Sequence, residues 1–180
     1  MQETNQSHEA VEVGLSLGSN QGNRLQYLRE ATKEIKDIPG IELVAASPVY
    51  ETEPVGVKPQ YRDMAYLNAV LVIQTQLTMQ DLSDRIHAVE EKLGRVREDD
   101  RFAPRTIDID ILYAGETVCK EDALTLPHPR WAERRFVLQP LADLRPNLHI
   151  PGSQQSVAEH LAALPTGSEA VKKLPDILTP

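Results

Sequence analysis

Alternating hydrophobic and polar residues mark four strands along the chain. Residues 11–18 alternate apolar side chains with Glu, Gly and Ser, which is the period of a strand with one buried face. Residues 41–51 also predict a strand, and Pro48 within them favours an edge or a bulge. Residues 65–76 are apolar on both faces, which predicts a central strand. Residues 105–115 predict the fourth strand.

Apolar residues at helical spacing predict two helices between these strands. The first runs from Arg24 to Ile38 and is stopped by a Pro-Gly pair. The second follows Thr78, whose hydroxyl can cap it, and ends at Gly94. Its buried stripe consists of four apolar residues: Leu82, Ile86, Val89 and Leu93.

The last third of the chain adds shorter elements. The pattern predicts a strand pair around residues 116–126, a helix over 130–143 and a short helix over 156–164. The order strand, helix, strand, strand, helix, strand is that of a ferredoxin-like βαββαβ unit. We therefore expect an α+β fold with a mostly antiparallel sheet and helices on one face. The other face is left for a site or for the C-terminal helices.

Length and charge limit the domain organisation and the partners. The 180 residues predict a disordered lead-in over 1–10, a single domain over 11–165 and an irregular tail over 166–180. The net charge of −8 argues against nucleic acid and membrane surfaces as partners. A single cysteine excludes a disulfide framework, and no segment resembles a signal peptide or a membrane span. We expect a cytoplasmic monomer.

The fourth predicted strand directs two carboxylates the same way. Ile107, Ile109 and Ile111 occupy one face, so Asp108 and Asp110 share the other. Their backbones are then roughly 6–7 Å apart, and burying either carboxylate without a positive partner is costly. Either the two acids are solvated on an exposed face, or a cation lies beside them.

Four arginines precede this pair within a dozen residues: Arg95, Arg97, Arg101 and Arg105. Carboxylates on a rigid strand suit magnesium, and arginines suit phosphate. Together they predict a magnesium–polyphosphate site in which two metal ions can share the carboxylates. In the alternative interpretation, the arginines pair with the neighbouring acids at 98–100.

Three further polar groups each have a chemical and a structural interpretation. His87 and Glu90, one helical turn apart, are either ligand contacts or a solvent-facing pair. Tyr66 and Asn68 share a face of the central strand, where the Asn68 amide either matches the edge of a heterocycle or is a satisfied core group. The segment 128–136 supplies a histidine, arginines and a phenylalanine to a site, or it begins a helix with surface arginines.

Five motifs follow one another between about residues 11 and 152. They are Gly18-Ser19-Asn20, the Y-x-T-x-P-x-G loop from Tyr50 to Gly56, Tyr66-Leu67-Asn68, the R-x-x-P-R-x-x-D-x-D run from Arg101 to Asp110, and Pro127-His128 followed by Arg134-Arg135-Phe136. In these motifs the chain resembles the 6-hydroxymethyl-7,8-dihydropterin pyrophosphokinase family of folate biosynthesis. P-loop, dinucleotide-binding and protein-kinase signatures are absent, so ATP would be held by arginines, metals and loops.

The resemblance implies transfer of pyrophosphate from ATP to the hydroxymethyl oxygen of the pterin, leaving AMP. It implies that Asp108 and Asp110 bind two magnesium ions and that Arg95 and Arg105 assist the transfer. The implied ATP-binding residues are His87, Glu90, Arg97, Arg105, Ile111, His128 and Arg134. The implied pterin-binding residues are Thr52, Val55, Tyr66, Asn68 and Phe136, with the two aromatic rings against the faces of the pterin.

Three positions depart from some members of that family, and two other functions share part of the pattern. Phe102 stands where some members have Trp, Ala123 where some have Arg, and His87 where some have Gln. A nucleotidyl transferase with a polymerase-like palm also places two strand carboxylates on such a sheet, but it releases pyrophosphate and usually needs a third acidic ligand. A small regulatory ligand-binding domain of this fold would not need the arginine-rich loop.

Overall fold

The computed structural model describes residues 9–54, 58–96, 103–121, 124–165, 170–176 and 178. The strands in this part of the chain are β1 (Val11–Ser19), β2 (Ile41–Ala46), β3 (Tyr50–Thr52), β4 (Tyr66–Thr75), β5 (Asp108–Ala114), β6 (Cys119–Glu121), β7 (Leu124–Leu126) and β8 (Val171–Lys173). The α-helices are α1 (Arg24–Lys36), α2 (Met79–Lys92), α3 (Arg135–Leu144) and α4 (Val157–Ala163). None of these helices is long and apolar enough to cross a lipid bilayer.

One antiparallel sheet organises the molecule. Its strand order is β5-β1-β4-β3-β8, with β2 also paired to β4, and each of these pairs is antiparallel. With β2 and β3 taken as one divided strand, this is the ferredoxin-like order. The predicted fold class is confirmed, and β4 is central because it pairs with strands on both sides.

The two faces of the sheet belong to separate hydrophobic cores. On one face, apolar residues of β1, β4 and β5 pack against α1 and α2. On the other face, Val70, Leu112 and Tyr113 pack with residues of α3 and α4. Asp108 and Asp110 share this second face and are partly buried, while Ile107, Ile109 and Ile111 are buried on the first face. The predicted alternation along β5 is therefore confirmed.

Pro48 divides the strand that the sequence predicts over 41–51. Proline has no N–H to donate to the ladder, and the backbone on either side forms the separate strands β2 and β3. Ser47 replaces the missing ladder contact, since its N–H donates to Val70 O and its Oγ accepts from Val70 N, both at 2.9 Å. The divided strand leaves β3 free to take its own partner on the far side.

Two predictions for the C-terminal region are wrong in detail. The helix predicted from residue 130 begins at Arg135, because Trp131 N donates to His128 O in a turn and Arg134 is extended. The tail predicted to be irregular contains β8, which pairs with β3. The segment of β8 reads Val-Lys-Lys and shows no alternation of apolar and polar residues, and its partner is distant in sequence. Most of the lead-in over 1–10 lies outside the described residues.

Candidate active site

The strand register aligns the acidic pair with the polar residues of the central strand. Asp108 lies opposite Gly18 of β1, and Gly18 lies opposite Asn68 of β4. Strands in a sheet are about 4.8 Å apart, so the backbones of Asp108 and Asn68 are about 10 Å apart. Gly18 keeps the space between them open, since a Cβ there would lie 3.1 Å from Asn68 Oδ1. Below, Glu90, Arg95, Arg105, Asp108 and Asp110 are called the charged side, and Thr52, Tyr66 and Asn68 the neutral side.

On the charged side two guanidinium groups converge on one carboxylate. Arg95 Nη1 lies 2.7 Å from Asp108 Oδ1, and Arg105 Nη1 lies 2.8 Å from Asp108 Oδ2. Arg95 also forms an ion pair with Glu90. Asp108 is therefore not simply a solvated surface acid. The alternative partners predicted at 98–100, like Arg97 and Arg101, lie outside the described residues.

The turn after β1 fixes the backbone of one of these arginines. Asn20 Oδ1 accepts from Arg105 N at 2.8 Å, and Asn20 N donates to Arg105 O at 3.2 Å. Asn20 is 4% exposed, so these bonds are protected from water. The Gly-Ser-Asn turn therefore holds Arg105 next to β5.

Glu90 is a buried carboxylate that supports the charged side from α2. It is 1% exposed, and its Oε1 accepts from Ile109 N at 2.7 Å. Burial raises the pKa of Glu90 to about 7, although the charge of Arg95 and the bond from Ile109 oppose the rise. The interpretation of a solvent-facing pair is wrong for Glu90, whereas its neighbour His87 is half-buried.

Asp110 lies where a cation would be favourable. Burial and the nearby charge of Asp108 raise the pKa of Asp110 to about 6, while Arg134, Arg95 and Arg105 act in the opposite direction. No cluster of three or more metal-ligating side chains occurs among the described residues. Magnesium commonly uses one or two carboxylates together with substrate phosphates and water, so the two aspartates fit it. Each carboxylate has about four lone-pair sites, so Asp108 can bind a cation while it holds two arginines.

A pocket of about 190 Å³ lies beside β5, between α2 and β7. Its lining includes four predicted site residues: His87, Asp110, Ile111 and His128. Six further lining residues are not among the predicted site residues: Ser83, Ile86, Ile109, Leu124, Thr125 and Pro129. A helical-wheel comparison with His87, four residues later, is the sequence signal that could have found Ser83. Thr125 comes from the β6–β7 hairpin, and no local pattern identifies it.

Of the later motif residues, His128 lines this pocket and Phe136 packs against the second core. His128 N donates to Leu112 O of β5 at 2.8 Å, and burial lowers the pKa of the His128 side chain, as do the charges of Arg134 and Arg130. The guanidinium carbon of Arg134 lies 5.5 Å from the centre of the Phe136 ring. The charge of Arg134 lowers the pKa of both Asp110 and His128, so Arg134 lies within electrostatic range of the site.

On the neutral side, Asn68 and Thr52 are buried and are joined by a hydrogen bond. Asn68 Nδ2 donates to Thr52 Oγ1 at 2.8 Å, and each residue is 4% exposed. Burial raises the pKa of Tyr66, which also lies within electrostatic range of Arg105 and Asp108. The bond satisfies part of the Asn68 amide, so both the core and the ligand-binding interpretations stay open. Val55 and the departures at 102 and 123 lie outside the described residues.

Comparison with known proteins points to one family. A family model described as 7,8-dihydro-6-hydroxymethylpterin-pyrophosphokinase (HPPK) matches residues 14–146. Two proteins named 2-amino-4-hydroxy-6-hydroxymethyldihydropteridine pyrophosphokinase are similar along almost their whole length. The one from Methylorubrum extorquens is 44% identical, covering 88% of this chain and 97% of the relative. The one from Pseudomonas aeruginosa is 39% identical, covering 91% and 96%.

Longer proteins match over only part of their length. The folic acid synthesis protein fol1 of Pneumocystis carinii is 38% identical over 82% of this chain, which spans 19% of that protein. A solved Plasmodium falciparum HPPK-DHPS structure covers 88% of this chain with a TM-score of 0.68, and the chain spans 46% of it. At 13% identity, this structural similarity supports the fold alone.

Proposed function

The chain belongs to the 7,8-dihydro-6-hydroxymethylpterin-pyrophosphokinase family, and we propose that its reaction takes place between the charged and the neutral side of the site. The activity is the transfer of pyrophosphate from ATP to the hydroxymethyl group of 6-hydroxymethyl-7,8-dihydropterin, which gives AMP and the pterin diphosphate in folate biosynthesis. The observation that carries the proposal is the convergence of Arg95 and Arg105 on Asp108, two strands away from Asn68.

The reaction itself demands little covalent work from the protein. The hydroxymethyl oxygen forms a bond to the β-phosphorus of ATP, and the bond from that phosphorus to the oxygen shared with the α-phosphorus breaks. AMP leaves with the bridging oxygen, and the hydroxyl proton is released. Catalysis then consists of aligning the two substrates and neutralising charge as it moves.

We assign the charged side to the triphosphate. Arg95 and Arg105 are the proposed catalytic residues, since their guanidinium groups can stabilise the charge on the transferred group. Asp108 and Asp110 would hold magnesium, two ions by the family resemblance, and the metal would supply positive charge that neutralises the phosphates. Glu90 supports this arrangement through Arg95 and Ile109. Arg97 stays a predicted phosphate contact.

We assign the pocket beside β5 to the rest of the nucleotide. His87, Ile111 and His128 line it, and so does Asp110 of the charged side. A nucleotide bound in this pocket would therefore have its phosphates on the charged side. Arg134 lies near enough to influence the pKa of both Asp110 and His128, so it can contact the phosphates.

We assign the neutral side to the pterin. Asn68 and Thr52 supply amide and hydroxyl groups of the kind that match a heterocycle edge. Tyr66 and Phe136 are the proposed ring contacts, and Phe136 lies at the start of α3, which packs on this face. Four expectations stay predictions: the contact of Val55 with the pterin, the two magnesium ions, the monomeric state and the cytoplasmic location.

The test is to identify the products. The protein is incubated with ATP, magnesium and the dihydropterin alcohol, and the nucleotides and pterins are separated by chromatography. We expect AMP and the pterin diphosphate in equal amounts. Release of pyrophosphate would instead indicate nucleotidyl transfer, and binding without turnover would indicate a ligand-binding domain. Either result would overturn the proposal.

A further inference from the structure

Arg24, the first residue of α1, connects β3 to the residue that precedes β4. Its Nη1 donates to Ala65 O at 2.8 Å, and its Nη2 donates to Glu51 Oε2 at 3.0 Å. Arginine suits this task because its planar guanidinium presents donors in a fixed fork, whereas lysine offers a single point charge. A cation at a helix N-terminus opposes the helix dipole, so Arg24 is not placed there to stabilise α1.

Both acceptors adjoin residues of the neutral side. Glu51 precedes Thr52 in β3, and Ala65 precedes Tyr66 at the start of β4. Thr52 and Tyr66 are directly opposite each other in the β3–β4 register. One guanidinium therefore holds both strands at the point where they carry the proposed pterin contacts.

The same short turn contacts the charged side by a different residue. Asn20, four residues earlier, holds the backbone of Arg105. The two contacts are separate along the turn, so a change at Arg24 leaves the bonds of Asn20 in place. This separation makes a selective effect on one substrate measurable.

We propose that Arg24 is a positioning residue for the pterin: it holds β3 and β4 so that Thr52 and Tyr66 keep the geometry that binds the ring. Arg24 acts through these residues and not by touching the pterin. The inference rests on the proposed assignment of the neutral side, so its test must separate the two.

The experiment compares Arg24→Gln and Arg24→Lys with Arg29→Gln and Asn68→Ala. Arg29 is a matched control, since it lies on the same helix and pairs with Asp176, which belongs to neither side of the site. Affinity for the dihydropterin is measured by titration with magnesium and α,β-methylene-ATP present, because this analogue has no bridging oxygen to cleave. Affinity for the analogue alone and the unfolding temperature are measured on the same samples.

We expect Arg24→Gln to weaken pterin binding by about tenfold, the effect of one charge-assisted contact, without changing the affinity for the analogue. Arg24→Lys should recover part of the loss, and Arg29→Gln should bind both ligands as the unchanged protein does. If Asn68→Ala weakens pterin binding while Arg24→Gln does not, the inference about Arg24 is wrong and the site assignment stands. If neither variant affects the pterin, the assignment of the neutral side is wrong and the inference falls with it. Equal losses for both ligands in Arg24→Gln would show a general structural role and would overturn the inference.

Discussion

The charged and the neutral side meet on one face of the sheet through Asp108 and Asn68, but they are built in different ways. On the charged side, oppositely charged atoms lie within 2.8 Å of each other around Asp108. On the neutral side, Asn68 and Thr52 are linked by a hydrogen bond between uncharged groups. Charge attracts phosphate and metal strongly over a distance, whereas buried amides and hydroxyls select a ligand by the direction of its donors and acceptors.

This difference suggests why Gly18 lies between the two sides. A side chain there would fill the space between Asp108 and Asn68, where we propose that the two substrates meet. A reaction between a highly charged donor and an uncharged ring needs both environments close together and yet open to each other. If the two sides are separable, substitutions on each side should affect different ligands.

The largest effect should come from the charged side. Asp110→Ala removes a proposed metal ligand, and a loss of about 3–4 kcal/mol of transition-state stabilisation corresponds to about 10²–10³-fold slower turnover. AMP formation is measured at saturating magnesium and substrates. The control is Asp84→Ala, since Asp84 is an exposed acid on α2 that bonds only to Gln80 among the contacts described. Full turnover by Asp110→Ala would remove the metal assignment.

A smaller and more selective effect should come from the neutral side. Asn68→Ala leaves ligand and protein groups without partners, at a cost of about 1–3 kcal/mol in pterin binding. We expect the KM for the pterin to rise by about ten- to a hundredfold, with the KM for ATP and the magnesium requirement unchanged. Loss of folding in this variant, seen by circular dichroism, would instead support the interpretation of Asn68 as a core residue.

A methyl group added at Gly18, between the two sides, should change pterin binding. Gly18→Ala places a Cβ 3.1 Å from Asn68 Oδ1. We expect pterin binding to weaken by a few-fold, which is about 1 kcal/mol of binding free energy, with little change in stability. Gly14→Ala, on the same strand, places its Cβ 2.3 Å from the Tyr113 ring and should lower the unfolding temperature. Steady-state kinetics and thermal unfolding of both variants check this contrast. A Gly18→Ala protein with unchanged pterin kinetics would show that the boundary is not used.

The smallest effect on the reaction should come from a charged residue on this sheet face that belongs to neither side. Although burial alone would raise it, hydrogen bonds from Arg145 and Tyr113 hold the pKa of Glu12 below its usual value of 4.5. Such a group stabilises the fold above its unfolded-state pKa, and the contribution is lost as pH falls through the lower folded-state pKa. Glu12→Gln should therefore lower the free energy of unfolding at pH 7 by about 1–2 kcal/mol, and the difference should vanish in acid.

Denaturant unfolding at several pH values measures this difference, and product assays on the same variant should show unchanged kinetics. A catalytic defect in Glu12→Gln would mean that charge anywhere on this face affects the reaction. The charged and the neutral side would then not be the only parts of this face that the reaction depends on.

The sequence predicts those features whose signal is local and repeated. Alternation along β5 identifies the acidic face, because each isoleucine that enters the core directs its neighbour the other way. Spacing on α2 predicts the stripe of Leu82, Ile86, Val89 and Leu93, of which the first three are buried and Leu93 is partly buried against the same core. Thr78 caps the helix as expected. The motif resemblance supplies residues that no periodicity selects, such as His128.

Features that depend on distant partners are not predictable in this way. Glu90 looks like a surface acid beside an apolar stripe, and only the fold brings Ile109 N and Arg95 to it. The strand β8 exists because β3 has an available edge. The bridge from Arg24 to Ala65 spans 41 positions of sequence, so no local pattern marks it.

The most direct test of two separable sides is a pair of crossed titrations. Calorimetry measures binding of α,β-methylene-ATP with and without magnesium, and of the dihydropterin in the presence of the analogue, for Asn68→Ala and Asp110→Ala. We predict that Asn68→Ala binds the analogue normally and the pterin at least about tenfold more weakly, and that Asp110→Ala loses the magnesium dependence of analogue binding. Equal losses for both ligands in Asn68→Ala, or an unchanged magnesium dependence in Asp110→Ala, would contradict the division of the site.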